Sequence, residues 1–155
     1  MNCGHAYAFQ GAVMIGPESG CYGVRYAAAV GTHMMRYAAS IGNTVAGYQA
    51  NACGGSSTSA ETSRCNVIIG KQANYGGRYT CGNVFIGSWV AFCTGYNCSA
   101  SWYTTCGNVI IGSNAGSQNS SGTNTTCSQR GNILIGSYSR VAGTGTNYAA
   151  IGIGA

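Results

Sequence analysis

The stretch Cys81-Gly82-Asn83-Val84-Phe85-Ile86-Gly87-Ser88 returns almost unchanged as Cys106-Gly107-Asn108-Val109-Ile110-Ile111-Gly112-Ser113. Its apolar triplet closed by glycine is the unit from which the rest of the chain is read. Further copies are Val13-Met14-Ile15-Gly16, Ala28-Ala29-Val30-Gly31, Ala39-Ser40-Ile41-Gly42, Val67-Ile68-Ile69-Gly70, Ile133-Leu134-Ile135-Gly136 and Ala149-Ala150-Ile151-Gly152. Successive glycines lie 15, 11, 28, 17, 25, 24 and 16 residues apart. The short spacings fit one coil of a solenoid, and the long ones an added coil or a protruding loop.

What precedes the triplet falls into two kinds. Asn66, Asn83, Asn108 and Asn132 lead in at the centre, three of them after Gly82, Gly107 and Gly131, whereas Tyr26, Tyr37 and Tyr148 lead in elsewhere. Gly-Asn suits a tight corner because both residues tolerate positive φ, and stacked Asn side chains can bond as a ladder. The expected architecture is therefore all-β, a parallel β-solenoid of about eight irregular Ile/Val-Gly repeats over residues 1–155, a single module with loop excursions near 50–64, 89–105 and 117–130.

A strand's period of two places the first and third triplet positions on one face and the second on the other. The first and third positions, Val109 and Ile111 among them, are expected inside the coil, since they are aliphatic in every copy. The middle residues Ile68, Phe85, Ile110 and Leu134 then point outward, too apolar to be left in water, and become an oligomer interface, with a homotrimer of parallel solenoids as first choice. A broad single-chain solenoid covered by its own loops is the alternative.

The two phrases at Cys81–Ser88 and Cys106–Gly116 resemble the N-x-x-I-G-x-x-A repeat modules of bacteriophage tail-fibre and virion appendage proteins. They are also similar to the head repeats of trimeric autotransporter adhesins, whose coils form a left-handed parallel β-roll shared by three chains. The resemblance runs from Val13 to Gly152 and implies an elongated, homotrimeric, non-catalytic module for host attachment or spacing. Nine cysteines and irregular coil lengths depart from the adhesin pattern and favour the virion; the cell surface or an extracellular filament is the alternative location.

Composition narrows the functions further. Charged residues make up 6% of the chain against a usual share of about 25%, and the net charge of +5 comes from Lys71 and scattered arginines without a basic run, so no nucleic-acid partner is expected. No apolar stretch approaches the ~20 residues of a membrane helix, and no membrane insertion is expected. There is no Asp; Glu18 and Glu61 stand far apart, and no cleft is expected to gather either of them with His5 or His33, so neither a carboxylate pair nor a triad is foreseen and no enzyme or cofactor is assigned. No cysteine pair has the C-x-x-C spacing, so no metal site is assigned.

Cys65, Cys81 and Cys106 recur before the strand and are candidates for a disulfide or for stacked thiols, small buried residues in a reducing compartment being the alternative. Trp89, Tyr96, Trp102 and Tyr103 break the rhythm as candidate contacts for a host glycan or receptor, or as aromatics that seal chain contacts. Beyond the fibre, the rival classes are a glycan- or receptor-binding adhesin head, an enzyme and an ice-binding solenoid. The latter would need an outward Thr-x-Thr array, of which Thr123–Thr126 is one fragment.

Overall fold

The computed structural model describes residues 10–18, 24–34, 39–51, 62–75, 80–90, 105–116, 130–139, 147 and 149–152. They are all-β, with no helix among them. The strands in chain order are β1 (Val13–Ile15), β2 (Val24–Arg25), β3 (Ala28–Thr32), β4 (Ala39–Ile41), β5 (Thr44–Tyr48), β6 (Thr62–Arg64), β7 (Val67–Ile69), β8 (Thr80–Cys81), β9 (Val84–Ile86), β10 (Thr105–Cys106), β11 (Val109–Ile111), β12 (Ile133–Ile135) and β13 (Ala149–Ile151). They segregate into an eight-stranded sheet ordered β1-β3-β5-β7-β9-β11-β12-β13 and a five-stranded sheet ordered β10-β8-β6-β4-β2. Every pairing is parallel. From β1 to β11 the chain visits the two sheets alternately, a course compatible with a β-solenoid; each pass through both is called a rung below.

One corner has constant length. Gly11, Tyr26, Gly42, Cys65, Gly82, Gly107, Gly131 and Asn147 all turn with φ between 50° and 67°, and each precedes by five residues a glycine that closes the triplet. All the variation in repeat length lies on the other side of the rung, between that closing glycine and the next turn. Segments 52–61, 91–104 and 117–129, where the loop excursions are expected, lie outside the described residues.

The closing glycines stack as Gly16, Gly31, Gly47, Gly70, Gly87, Gly112, Gly136 and Gly152, with φ from 122° to 149°. A Cβ at any of the first seven would run into the carbonyl oxygen of the next glycine in the stack. This column corrects one repeat. Ala39-Ser40-Ile41 belongs to the five-stranded sheet, paired with Thr62-Ser63-Arg64. The rung in the eight-stranded sheet is instead Thr44-Val45-Ala46-Gly47, in register with Ala28-Ala29-Val30-Gly31. Repeat lengths become 15, 16, 23, 17, 25, 24 and 16.

The interior has two halves. One is apolar: Ala29, Val45, Ile68, Phe85, Ile110 and Leu134 from the sheet, and Met34, Ala50, Ala73, Val90 and Ala115 from the corner after it, are all at most 1% exposed. The rung with the small Ala29 carries the large Met34, while the rung with Ile110 carries Ala115, so in these two rungs bulk is exchanged between strand and corner. The other half is polar. Asn43, Asn66, Asn83, Asn108 and Asn132 are buried one above another. The Asn66 side-chain oxygen accepts from the Asn83 backbone N–H at 3.0 Å and from its Nδ2 at 2.9 Å. Asn83 receives Asn108 in the same way at 2.9 Å and 2.9 Å. Ser63 and Thr80, turned inward from the second sheet, tie this ladder to Asn51 and Asn74.

The expectation that the first and third triplet positions are internal is overturned. The lead-in Asn and the middle residue are two apart and share a face, and it is the Asn that finds its partners inside. Val109 and Ile111 are consequently half-buried on the outer side, while Ile110 is fully buried. Ile110→Ala is expected to cost about 2–5 kcal/mol and Ile111→Ala distinctly less, measured by denaturant unfolding. Gly87→Ala should be worse tolerated than either, since it adds both a collision with Gly112 and a strained φ, and is expected to abolish the cooperative transition.

Candidate functional site

With the Asn and the middle residue inside, the chain presents two parallel columns of side chains on the outer face of the eight-stranded sheet. One runs Val13, Ala28, Thr44, Val67, Val84, Val109, Ile133, Ala149, and the other Ile15, Val30, Ala46, Ile69, Ile86, Ile111, Ile135, Ile151. Val13 is 60% exposed, Val30 53% and Ile151 74%. Seven steps of about 4.8 Å make this face roughly 34 Å long. Bordered by glycines, it has no side chain standing proud along that margin, and β-branched residues suit its pleated surface.

Ile68, Phe85, Ile110 and Leu134, expected at a chain-chain interface, are fully buried within their own chain. The interface assignment is therefore corrected: these four form the core, and the aliphatic residues on either side of each face outward. The surface that sequence reasoning missed has a signal in the triplet itself. The middle position varies widely in size, from Ala29 to Phe85, as an interior repacked rung by rung must, while most of its neighbours are β-branched.

The three described cysteines fall in two columns. Cys81 and Cys106 stand opposite each other on β8 and β10 and are bridged, with Cα atoms 4.7 Å apart. Cys65 is exposed and free, and it occupies the turn position held by Gly82 and Gly107, one residue later than the Cys81 position. The three do not form one stack. Nor are the bridged pair the small buried thiols of the alternative, since both lie half-buried on the outer side of the five-stranded sheet.

Trp89 sits at the corner after Gly87 with φ 58°, half-buried, its N–H donating to the Lys71 carbonyl at 2.9 Å. Tyr96, Trp102 and Tyr103 lie outside the described residues. Against expectation, His33 and Glu18 do meet: they occupy equivalent corner positions on successive rungs, with Nε2 and Oε2 3.0 Å apart and the glutamate 43% exposed. Tyr48 packs near the imidazole at 5.9 Å between ring centres. The pair lies at the surface, and rung stacking accounts for it. Among the described residues no three His, Cys, Asp or Glu side chains gather to hold a metal.

Comparison of the chain with protein-family models, curated proteins and solved structures gave no match.

The bridge closes a loop across a sequence separation of 25. Removing it by Cys81→Ala with Cys106→Ala is expected to cost about 2–4 kcal/mol, read as a lowered unfolding midpoint. A chymotryptic map should show the peptides holding Cys81 and Cys106 parting only after reduction.

Proposed function

We propose that the chain winds as a closed β-solenoid and serves as a non-catalytic structural module of a homo-oligomeric fibre, three copies meeting through the outer face of the eight-stranded sheet. The observation that carries this reading is the pair of aliphatic columns on that face, with Ile151, Val13, Ile15 and Val30 more than half exposed in the single chain. A continuous apolar stripe on a surface with so few charges is a surface that another molecule covers. Copies of the same chain carry the matching stripe, equally long and flat, and three of them around a common axis remove all three stripes from water.

The resemblance to tail-fibre repeats makes a virion appendage used in host attachment the first setting. The Cys81–Cys106 bridge favours a second one, the head of a bacterial surface adhesin or an extracellular filament subunit, because disulfides persist in oxidising surroundings.

Sedimentation and native mass measurement should find three chains of 15.8 kDa together. Ile69→Asp with Ile135→Asp places charges in the stripe and leaves the core untouched. It is expected to yield monomers that keep the β circular-dichroism spectrum, whereas Phe85→Asp should destroy the spectrum itself. A folded, soluble monomer of the unaltered chain would overturn the reading.

A further inference from the structure

Three of the basic residues scattered in sequence, Arg25, Arg64 and Arg130, are brought into line by the register of the second sheet and the bridges at its ends. Gln10 pairs with Arg25, Arg25 with Ile41, Ile41 with Arg64, Arg64 with Cys81, Cys81 with Cys106, and Cys106 with Arg130. Seven residues thus form one outward column, of which Gln10, Arg25, Arg64 and Arg130 are exposed. Three of the four described cations stand in it; the fourth, Lys71, and the one described acid, Glu18, lie at the corner after the closing glycine, away from it. This column is separate from the aliphatic face.

We propose that it is a binding track for a linear acidic polysaccharide running along the solenoid axis, with Arg25, Arg64 and Arg130 holding its sulfate or carboxylate groups. Arg25 and Arg64 are two rungs apart and Arg64 and Arg130 three, so the guanidinium stems rise from the sheet at intervals of about 10 and 14 Å. Arginine suits the role because its planar fork takes both oxygens of such a group at once. Between the arginines the track is flat: Ile41 and the Cys81–Cys106 bridge hold short, half-buried side chains, leaving room for sugar rings to lie against the sheet. Gln10 offers an amide to hydroxyl groups at one end.

The interval selects the class of ligand. A nucleic-acid strand carries a phosphate about every 3.4 Å in a duplex, so most of its charges would face no cation on this track. A polysaccharide in which acidic rings alternate with neutral ones presents charges at the wider spacing and hydroxyls in between.

The test is binding of the full chain to immobilised hyaluronan and to unsulfated chondroitin, in both of which acidic rings alternate with neutral ones, with neutral dextran and a single-stranded DNA oligonucleotide alongside, at several salt concentrations. Retention on at least one acidic polysaccharide, falling with salt, and none on dextran, is expected. Arg25→Gln, Arg64→Gln and Arg130→Gln together should weaken it about tenfold or more, while Lys71→Gln should leave it within about twofold. The corresponding triple Lys variant keeps the charge and loses the fork. It should bind measurably more weakly than the unaltered chain, and it carries the test should the Gln variant not fold. Equal losses from Lys71→Gln and the triple Gln variant, no loss from either triple variant, or DNA bound as tightly as the polysaccharides would overturn the proposal. Sedimentation of the same variants reports the aliphatic face separately: the triple variants should keep the oligomer, and Ile69→Asp with Ile135→Asp should keep the retention of a single chain.

Discussion

A rung can lie about 4.8 Å above its neighbour only where nothing stands between the two backbones, and in this chain the strictest such place is the exit from the eight-stranded sheet. There each glycine from Gly16 to Gly136 turns with a φ that side-chain-bearing residues avoid, and its missing Cβ is the space taken by the carbonyl of the glycine above. The rest of the architecture inherits its position from this column. A slip of one residue would both push a side chain into a backbone and turn every triplet inside out, so the packing of the corner and the burial of the middle residue enforce the same register. The five residues from the preceding turn to each closing glycine never vary. Repeat length varies only between a closing glycine and the next turn.

The polar half of the interior reinforces that register by another route. A buried amide left without partners costs about 1–3 kcal/mol, and the side-chain oxygens of Asn43, Asn66, Asn83 and Asn108 are each relieved of that cost by the Asn of the next rung. The bonds are directional: the side-chain oxygen of Asn43 reaches the backbone N–H of Asn66 at 2.8 Å, and that of Asn108 reaches Asn132 at 2.9 Å. The ladder therefore fixes rung height as well as rung order. At Ala27, where an Asn is missing, the N-terminal rungs dispense with the ladder, and the Ala27 carbonyl accepts from the Val13 backbone N–H at 2.9 Å.

The repeated phrase made the fold class legible, because a β-branched triplet closed by glycine and led by Gly-Asn is readable from residue types alone. The facing was not. Two aliphatic positions against one suggested that the pair lies inside, yet a narrow rung has room for one residue from the strand and one from the corner after it, as Phe85 and Val90 show. The Asn would have decided the matter, since an amide that bonds along the axis must share the inward face with the residue two places on. The rung at Thr44–Tyr48 was hidden because Ala39-Ser40-Ile41-Gly42 imitates the phrase, and only the glycine column distinguishes them: Gly42 turns with φ 65° and Gly47 with 136°. The proximity of His33 and Glu18 has no local signature at all, being set by the stacking of successive corners.

A chain with 6% charged residues has few means of keeping two large surfaces in water, and the sorting of what charge it has is informative. The described arginines all fall on the outer side of the five-stranded sheet, and the outer face of the eight-stranded sheet has none. If the aliphatic face is withdrawn into an assembly of like chains, the face left in solvent is the one that carries the arginines, repeated once for each copy around the axis. The association that covers one surface then multiplies the other, so that a track of three weakly spaced cations on a single chain becomes several parallel tracks on one rigid body. Simultaneous engagement of such tracks raises overall affinity without any new contact, provided a ligand is long enough to span them. If like chains do cover the aliphatic face, a column that holds an acidic polymer in one chain would hold it more firmly in the assembly, and the two outer faces would be linked through that geometry.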